Sequence, residues 1–392
     1  MSLQQAASGQ PSSRRITNFA TLDGLRGVAA VAVAVGHGRF LAVGKPTELF
    51  SGCYLAVDFF FVLSGFILAH AYGERLRADM SAGRFMVLRL IRLYPLYLLA
   101  LLLSLGLVAV QVFSNSAAPQ PTSTEVIFGF LMLPDPYPRA LSFPLNAPDL
   151  LFPMNIPAWS LFFELVANLI FAATWKRLST AVLVPLVVAA GIGLILAVNF
   201  RWLGFGALPE RFSAGAIWVS AWGGLARVMF SFFAGVLVFR LWRRFPPRRG
   251  VPPLIFIGGL FVILAYSPPP DLEIAYALLA ALFVFPALVF FGASSVPAKP
   301  NARLFTWMGN ISYGVYVLQQ AYYVLVMALV VACTGREFTG LSTFELLAMF
   351  VLLAPLATLT HRYFDVPVRR RLLDLLSTGR VFKMVRARTR FG

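Results

Sequence analysis

Apolar residues are gathered into ten long segments, and polar and charged residues into the stretches between them. Backbone groups that cross lipid must pair within the protein, which makes the α-helix the default spanning element. The alternating ten-residue segments typical of membrane barrels do not occur. The pattern therefore predicts an all-α polytopic membrane protein of about ten transmembrane helices, at residues 22–41, 54–72, 93–113, 157–175, 181–200, 214–240, 253–267, 273–292, 305–333 and 341–361.

Two apolar stretches do not fit a full crossing easily. Residues 253–267 are short, because about 20 helical residues are needed to span the hydrocarbon core. Residues 126–133 are too short to cross, and we interpret them as re-entrant or interfacial. They belong to a loop, 114–156, that is rich in Pro and Asn and poor in basic residues. We expect this loop on the outer side, where it is available to a polar substrate.

The composition supports a membrane location. Of 392 residues, 59% are hydrophobic and 12% are charged, whereas soluble domains carry about 25% charged residues. The mean hydropathy is +0.78. These values exclude a soluble enzyme and a disordered chain, and the two cysteines, Cys53 and Cys333, are too few for a disulfide scaffold. The lipid bilayer is therefore the expected environment.

The net charge of +17 has a topological explanation rather than a nucleic-acid partner. With the N-terminus inside, most of the 33 Lys and Arg residues fall on the side of the two termini, as the positive-inside rule requires. Both termini are therefore expected in the cytoplasm. We divide the chain into a polar tail at 1–20, a ten-span domain at 21–371 and a basic tail at 372–392, with no secretory signal and no internal repeat.

The first apolar segment carries two ionisable residues, Arg26 and His37. Eleven residues make three helical turns plus about 20°, so both side chains project from one face, about 16 Å apart along the axis. Ionisable groups inside a span are functional candidates by default. The alternative is that Arg26 extends to the inner headgroups and His37 is a buried hydrogen-bonding residue.

Two carboxylates are predicted at a depth similar to that of His37. Asp58 lies about one turn into the second segment, and Glu164 about two turns into the fourth, on a polar stripe with Ser160 and Asn168. The pattern predicts that one imidazole and two carboxylates converge in the outer half of the membrane. The alternatives are that Asp58 interacts favourably with the helix dipole and that Glu164 makes an interhelical structural bond.

Arginines dominate the opposite side. Arg89 and Arg92 share a helix face at the inner start of the third segment, and together with Arg26 they have the geometry to hold a phosphate. The alternative is that they only set the topology. Arg227, inside the sixth segment, requires a partner that the pattern does not identify. In the ninth segment, helical spacing indicates a polar interior lining, for which a structural role is the alternative. Its residues are Ser312, Tyr316, Gln319 and Tyr323.

Several motifs together resemble the membrane acyltransferase type 3 family. Arg26 and His37 match its R-x10-H signature, and other matches cover its R-x-x-R and W-S-L-x-x-E motifs. The resemblance extends over about residues 20–370, although Asp365 stands where the family usually has Glu. The matching blocks are Leu22–Gly27, Asp58–Phe66, Arg89–Pro95, Trp159–Glu164, Gly309–Tyr316 and Tyr363–Pro367.

The resemblance implies O-acylation of a carbohydrate or related hydroxylated acceptor, with acyl-CoA, commonly acetyl-CoA, as the donor. By resemblance, His37 is catalytic and Arg26, Arg89 and Arg92 belong to the donor or catalytic site. A neutral imidazole suits a base for an acceptor hydroxyl, and direct transfer and a transient acyl-histidine both fit. Asp58 or Glu164 would orient the ring. No resident cofactor or metal is expected, and the location would be a bacterial inner membrane.

Two other classes remain. A secondary transporter or flippase for a lipid-linked glycan would also bury charges, but we expect inverted repeats in such a protein and find none. A membrane sensor or scaffold would need no cluster of histidine and carboxylates.

Overall fold

The computed structural model describes residues 19–38, 50–114, 120–137, 149–208, 210–247, 250–335 and 341–377. Within these ranges the chain forms helices and no β-strand, apart from an isolated bridge between Leu150 and Ile217. The helices are α1 Ala20–Gly38, α2 Ala56–Ala78, α3 Ala82–Ser114, α4 Ser123–Leu131, α5 Ala158–Thr174, α6 Thr180–Asn199, α7 Ala221–Arg244, α8 Pro253–Ala265, α9 Glu273–Leu279, α10 Phe285–Gly292, α11 Lys299–Thr334, α12 Thr343–Thr360 and α13 Val366–Ser377.

The protein is a polytopic all-α membrane protein, as the apolar pattern predicts. Each of the ten predicted segments coincides with a helix, the eighth with α9 and α10 joined by a π-helix. In the described part of the chain, seven helical segments are long and apolar enough to cross a membrane. Helices α5 and α8 are shorter, and α1 carries Asp23 and Arg26 within 19 residues. The count of ten crossings and the cytoplasmic termini remain predictions.

The short apolar stretch at 126–133 forms α4, which is nine residues long and cannot cross. Thr122 and Glu125 form a capping box at its N-terminus, so the helix start is encoded locally. The hydroxyls of Tyr97 and Tyr94 on α3 donate to the carbonyls of Gly129 (2.6 Å) and Phe130 (2.8 Å). These bonds hold α4 against the side of α3.

Helices α2 and α7 approach each other at two glycines. A Cβ atom on Gly65 would lie 1.9 Å from the carbonyl oxygen of Phe232, and one on Gly235 would lie 2.0 Å from that of Val62. Small residues at such contacts let helix backbones approach closely. Transmembrane helices associate through such packing because lipid is as apolar as their side chains, so the hydrophobic effect does not drive them together. This close packing fixes the position of α2, which lines the candidate site on another of its faces.

The third helix begins earlier than its apolar pattern predicts, at Ala82 rather than at residue 93. The first eleven residues contain Arg84, Arg89 and Arg92, which lower the local hydropathy. They are nevertheless helical because Arg89 and Arg92 find acidic partners on other helices, as described below. The arginines therefore lie along the helix and not at its start.

Candidate active site

A cavity opens among five helices, α1, α2, α3, α5 and α11. It has an empty volume of about 850 Å³, counting the solvent at its mouth. Along α2 it extends from Val57 to Leu68, a helical rise of about 16 Å. Apolar and polar side chains contribute about equally to its wall. Its polar lining consists of Arg26, Ser64, Arg89, Arg92, Ser160, Glu164, Ser312, Tyr313 and Tyr316.

An ion pair between α3 and α5 lies in this lining. Nη2 of Arg89 is 2.9 Å from Oε1 of Glu164, and the hydroxyl of Ser64 on α2 donates to the same oxygen at 2.6 Å. The two charged side chains are 13% and 15% exposed. Three helices are thus joined at one carboxylate, which holds the Arg89 guanidinium toward the cavity.

Arg26 is anchored on α1 and α11. Its Nη2 donates to Oδ1 of Asp23 at 2.8 Å, one turn earlier on the same helix, and to the carbonyl of Gly309 at 2.9 Å. Gly309 packs tightly here, since a Cβ on it would lie 2.6 Å from the Cβ of Asp23. The backbone contact and the carboxylate together orient the guanidinium of Arg26.

Arg92 faces an acidic residue at the π-helix between α12 and α13. Its Nη1 is 3.7 Å from Oδ2 of Asp365, which also contacts Nη2 of Arg369 at 2.6 Å and Nδ1 of His361 at 3.2 Å. The Asp365 side chain is 1% exposed. Short π-helical stretches frequently mark functional sites. The carboxylate of Asp365 lies behind Arg92 and restrains it.

Hydroxyl groups line the side of the cavity formed by α5 and α11. The hydroxyls of Ser160 and Tyr316 share a hydrogen bond of 2.7 Å, and Ser312 donates to the carbonyl of Gly309 at 2.7 Å. The Tyr313 hydroxyl donates to the carbonyl of Leu93 at 2.6 Å. Of the predicted polar lining, Ser312 and Tyr316 are therefore part of this cavity, whereas Gln319 and Tyr323 do not line it.

The cavity suits an anion. Three guanidiniums line it against one carboxylate, Glu164. Several of their buried nitrogens make no hydrogen bond within the described structure, namely Nε of Arg26, Nε of Arg89 and Nη1 of Arg92. Guanidinium groups match the geometry of phosphate oxygens and form strong charge-assisted hydrogen bonds with them. Among the residues described, no group of three or more His, Cys, Asp or Glu side chains is placed to hold a metal ion.

The expected separation of the arginines from Glu164 by depth is wrong. The apolar pattern places Arg89 and Arg92 at the inner edge and Glu164 in the outer half, yet Arg89 and Glu164 are in contact. The reason is that α3 begins at Ala82, so Arg89 lies seven residues, or roughly 10 Å, inside the helix rather than before its start. The three arginines and Glu164 therefore form one site.

The expectation that Asp58 shares a cavity with Glu164 is also wrong, since Asp58 is not in the cavity lining. The expected closeness of these carboxylates to His37 remains a prediction. Both of its oxygens accept from Arg227 on α7, Oδ2 from Nη2 at 2.6 Å and Oδ1 from Nε at 3.3 Å. These side chains are 0% and 1% exposed. Arg227 also donates to the carbonyls of Tyr54 and Ala214. The partner that Arg227 requires is thus Asp58.

His37 lies near the end of α1, eleven residues from Arg26 and exposed. It is not among the residues that line the cavity. The adjacent Gly36 packs against Cys53, one turn before Val57 at the end of the cavity. His37 and this end of the cavity therefore lie near the same ends of α1 and α2. Its catalytic role remains a prediction.

Some site residues were not identified from the sequence. Ser64 belongs to a quoted motif, but only the fold pairs it with Glu164. Asp365 and His361 lie about 270 residues from Arg92, and nothing in the linear pattern indicates that they meet it. The tyrosine side chain beneath Arg92, Tyr313, lies with its ring centroid 5.5 Å from the guanidinium carbon. The sequence signal for this last contact was the motif block Gly309–Tyr316, to which Tyr313 belongs.

Helices apolar enough for a membrane thus surround a cavity lined by arginines and hydroxyls, an arrangement suited to a membrane-embedded enzyme. The chain matches the Acyltransferase domain family over residues 19–362 and belongs to that family. It is therefore an acyltransferase, and the resemblance drawn from the motifs is confirmed.

The chain is also similar to individual proteins, two of which are named as an acetyltransferase or an acyltransferase. Protein 2 in picA locus of Rhizobium radiobacter is 38% identical over 195 residues, which cover 46% of this chain and 96% of the relative. Acyltransferase MdmB of Streptomyces mycarofaciens is 28% identical over 78% of this chain and 79% of its own. Putative acetyltransferase ORF330 of Acidianus two-tailed virus is 25% identical over 75% of this chain and 80% of its own. No solved structure matches the chain.

Proposed function

We propose that this membrane acyltransferase moves an acyl group, acetyl in the first instance, from acyl-CoA to a hydroxyl of a carbohydrate or glycan acceptor. The observation that carries the proposal is the cavity lined by three guanidiniums, each of which keeps one buried nitrogen that makes no hydrogen bond in the described structure. Acyl-CoA is a donor rich in phosphate, and the arginines would bind those phosphates. The protein would act in a bacterial inner membrane.

The length of the cavity supports a route for the donor. Arg26 lies in the cavity and His37 about 16 Å further along α1, on the same helix face. Phosphates held by Arg26, Arg89 and Arg92 would leave the pantetheine arm to extend toward the Val57 end, which is near His37. The charged nucleotide would then not enter the lipid, where charge is costly.

The chemistry assigned to His37 is proton transfer or acyl transfer. In direct transfer, the imidazole accepts the proton of the acceptor hydroxyl, the oxygen attacks the thioester carbonyl, and the CoA thiolate leaves and takes up that proton. In the stepwise route, the imidazole nitrogen attacks the thioester carbonyl and the CoA thiolate leaves. The acceptor oxygen then attacks the acyl-histidine, the acyl–nitrogen bond breaks, and the hydroxyl proton passes to the thiolate. Both routes give the same ester and free CoA.

Glu164 has a different role in this proposal from the one its motif suggested. Its carboxylate holds Arg89 through an ion pair and Ser64 through a hydrogen bond, so it positions the donor-binding side of the cavity. Asp58 is paired with Arg227 and stabilises the fold. We therefore assign the proton transfer to His37 and donor binding to the arginines.

Sealed vesicles of known orientation test the proposal. Acyl-CoA labelled in its acyl group is supplied at the cytoplasmic face only, and a membrane-impermeant glycan acceptor at the other face only. We expect labelled ester on the acceptor with wild-type protein and none with His37→Ala at equal expression and insertion. Ester formation by His37→Ala at a near wild-type rate would refute the role of the imidazole. Product only when both substrates are cytoplasmic would refute the transmembrane route.

Surface glycans provide the test in cells. Mass spectrometry compares cells that carry the wild-type gene with cells that carry His37→Ala. We expect an acyl mass increment, 42 Da for acetyl, that is present only with the wild-type protein. Identical glycan masses in both strains would remove glycans from the acceptor class.

A further inference from the structure

A second cavity lies at the basic end of the bundle, where α2 and α7 finish and α6 begins. It has an empty volume of about 680 Å³, counting the solvent at its mouth, and shares no lining residue with the active-site cavity. One carboxylate, Glu74, lines it together with four guanidiniums. These belong to Arg77, Arg240, Arg243 and Arg244.

The arginines are arranged around an indole. The guanidinium carbons of Arg77 and Arg240 lie 5.1 and 4.8 Å from the ring centroid of Trp175. Arg240 donates to the carbonyl of Leu178 and, at 3.3 Å, to the hydroxyl of Thr180, while its buried Nε has no partner in the described structure. Arginines that only set topology need no such scaffold, so the arrangement indicates a built binding site.

The positive charge in this cavity is only partly neutralised. Arg243 is 3.4 Å from Glu74, and both side chains are largely exposed, so this ion pair is weak. No second carboxylate among the described residues lines the cavity. A phosphate group would supply the missing negative charge and accept hydrogen bonds from several guanidiniums at once.

Apolar side chains border the cavity on both neighbouring helices. Val182 follows the lining residue Thr180 on α6, and Leu241 and Phe245 flank the arginines at the end of α7. All three are more than one third exposed, as lipid-facing residues are. A ligand that combines a phosphate with long apolar chains fits both surfaces.

We propose that this cavity binds the headgroup of an anionic phospholipid, with the lipid tails against α6 and α7. Basic pockets between transmembrane helices on the cytoplasmic side suit such headgroups, and anionic lipids are concentrated in that leaflet. The same basic end is the one that the charge distribution places in the cytoplasm. The bound lipid would join the peripheral helix α6 to α2 and α7. This site is independent of the acyl donor and acceptor.

Native mass spectrometry of the full chain in detergent tests the proposal. The protein is titrated with phosphatidylglycerol and, separately, with phosphatidylcholine of the same acyl chains. We expect wild-type protein to retain phosphatidylglycerol preferentially. The variant Arg77→Gln/Arg243→Gln should lose this preference, with a fall in apparent affinity of at least about tenfold, since each arginine near an anionic headgroup contributes substantially. Both residues are exposed, so the fold should persist.

A matched control removes the same charge elsewhere on the basic end. Arg84→Gln/Arg370→Gln changes two exposed arginines outside the cavity and should bind phosphatidylglycerol as wild type does. Arg77→Lys/Arg243→Lys keeps the charge and should retain part of the preference. If the control and the cavity variant lost phosphatidylglycerol binding equally, net charge alone would explain the loss, and the proposal would be overturned.

CoA provides the remaining comparison. We expect added CoA to leave bound phosphatidylglycerol in place, and the cavity variant to bind CoA normally. If CoA displaced the lipid, or if Arg77→Gln/Arg243→Gln lost CoA binding and kept the lipid preference, the cavity would be a nucleotide site. Absence of any preference for phosphatidylglycerol in the wild-type protein would also overturn the proposal.

Discussion

Two faces of α2 meet opposite environments. On one face, Gly65 brings the backbone of α2 against that of α7, and Asp58 pairs with Arg227 across the same interface. On the other face, Val57, Ser64 and neighbouring residues line the candidate active site. The same helix is therefore a structural partner on one side and a wall of the active-site cavity on the other.

The two arginine–carboxylate pairs beside α2 differ in how fully their hydrogen bonds are satisfied. All three nitrogens of the Arg227 guanidinium donate, to both oxygens of Asp58 and to two backbone carbonyls, and the pair is fully buried. Arg89 retains a buried Nε without a partner, and its pair with Glu164 is partly exposed to a cavity. A buried pair whose guanidinium nitrogens all donate within the protein has little capacity left for a ligand, whereas an incompletely satisfied pair beside a cavity can recruit one. This difference separates a structural pair from a binding pair.

Breaking the buried pair of Asp58 and Arg227 should have the largest effect on stability. Asp58→Ala leaves the Arg227 guanidinium buried without a counter-charge, which costs about 3–5 kcal/mol of folding free energy. We expect loss of monodisperse protein, or a large drop in the thermal unfolding midpoint in detergent. The double variant Asp58→Leu/Arg227→Met should recover much of that stability. Wild-type stability of Asp58→Ala together with lost acyl transfer would place Asp58 in the chemistry instead.

Breaking the cavity pair should impair binding and leave folding largely intact. Arg89→Gln removes a charge-assisted contact of about 1.5–3 kcal/mol to the donor, so acyl-CoA affinity should fall roughly ten- to a hundredfold. Isothermal titration with CoA measures this, and Arg84→Gln on the same helix is the matched control. Unchanged CoA binding by Arg89→Gln would assign Arg89 to topology. A collapse of stability similar to that of Asp58→Ala would remove the distinction between the two pairs.

The packing face can be tested without changing any charge. Gly65→Ala places a methyl group against the backbone of α7 and forces the helices apart, at a cost of about 1–3 kcal/mol. Gly106→Ala on α3 is the control, because nothing lies within 4 Å of its added Cβ. Thermal unfolding of the two variants should differ accordingly. Equal midpoints for both would mean that α2 and α7 are not in close backbone contact.

The smallest expected effect concerns the hydroxyls opposite α2. Tyr316→Phe removes the hydrogen bond to Ser160 in the cavity, and Tyr322→Phe removes one to the carbonyl of Met349 outside it. Each should cost about 0.5–1.5 kcal/mol of stability. Only Tyr316→Phe should also change the rate of acyl transfer, by a few fold. Identical transfer rates for the two variants would show that the Tyr316 hydroxyl does not contact substrate.

Much of the architecture could be predicted from the sequence. Ten apolar segments each became helical, because long apolar runs leave a membrane chain few other ways to satisfy its backbone. The predicted helix start was wrong at residues 82–92, where the helix carries arginines. Hydropathy treats each arginine as an isolated charge and does not include the carboxylates that pair with it on other helices. The spacing in the motifs identified Arg26, Arg89, Arg92 and Glu164 as candidates, all of which line one cavity.

The sequence alone determined the membrane class, the helical segments, the motifs of the family and the residue types of the site. Only the tertiary structure decided which charges meet. Glu164 pairs with Arg89, 75 residues away, and Asp58 with Arg227, 169 residues away. Helical periodicity relates residues within a few turns, whereas partners on different helices depend on the register and rotation of packed helices. The close approach of α2 and α7 sets that register, and with it the difference between a structural pair and a binding site.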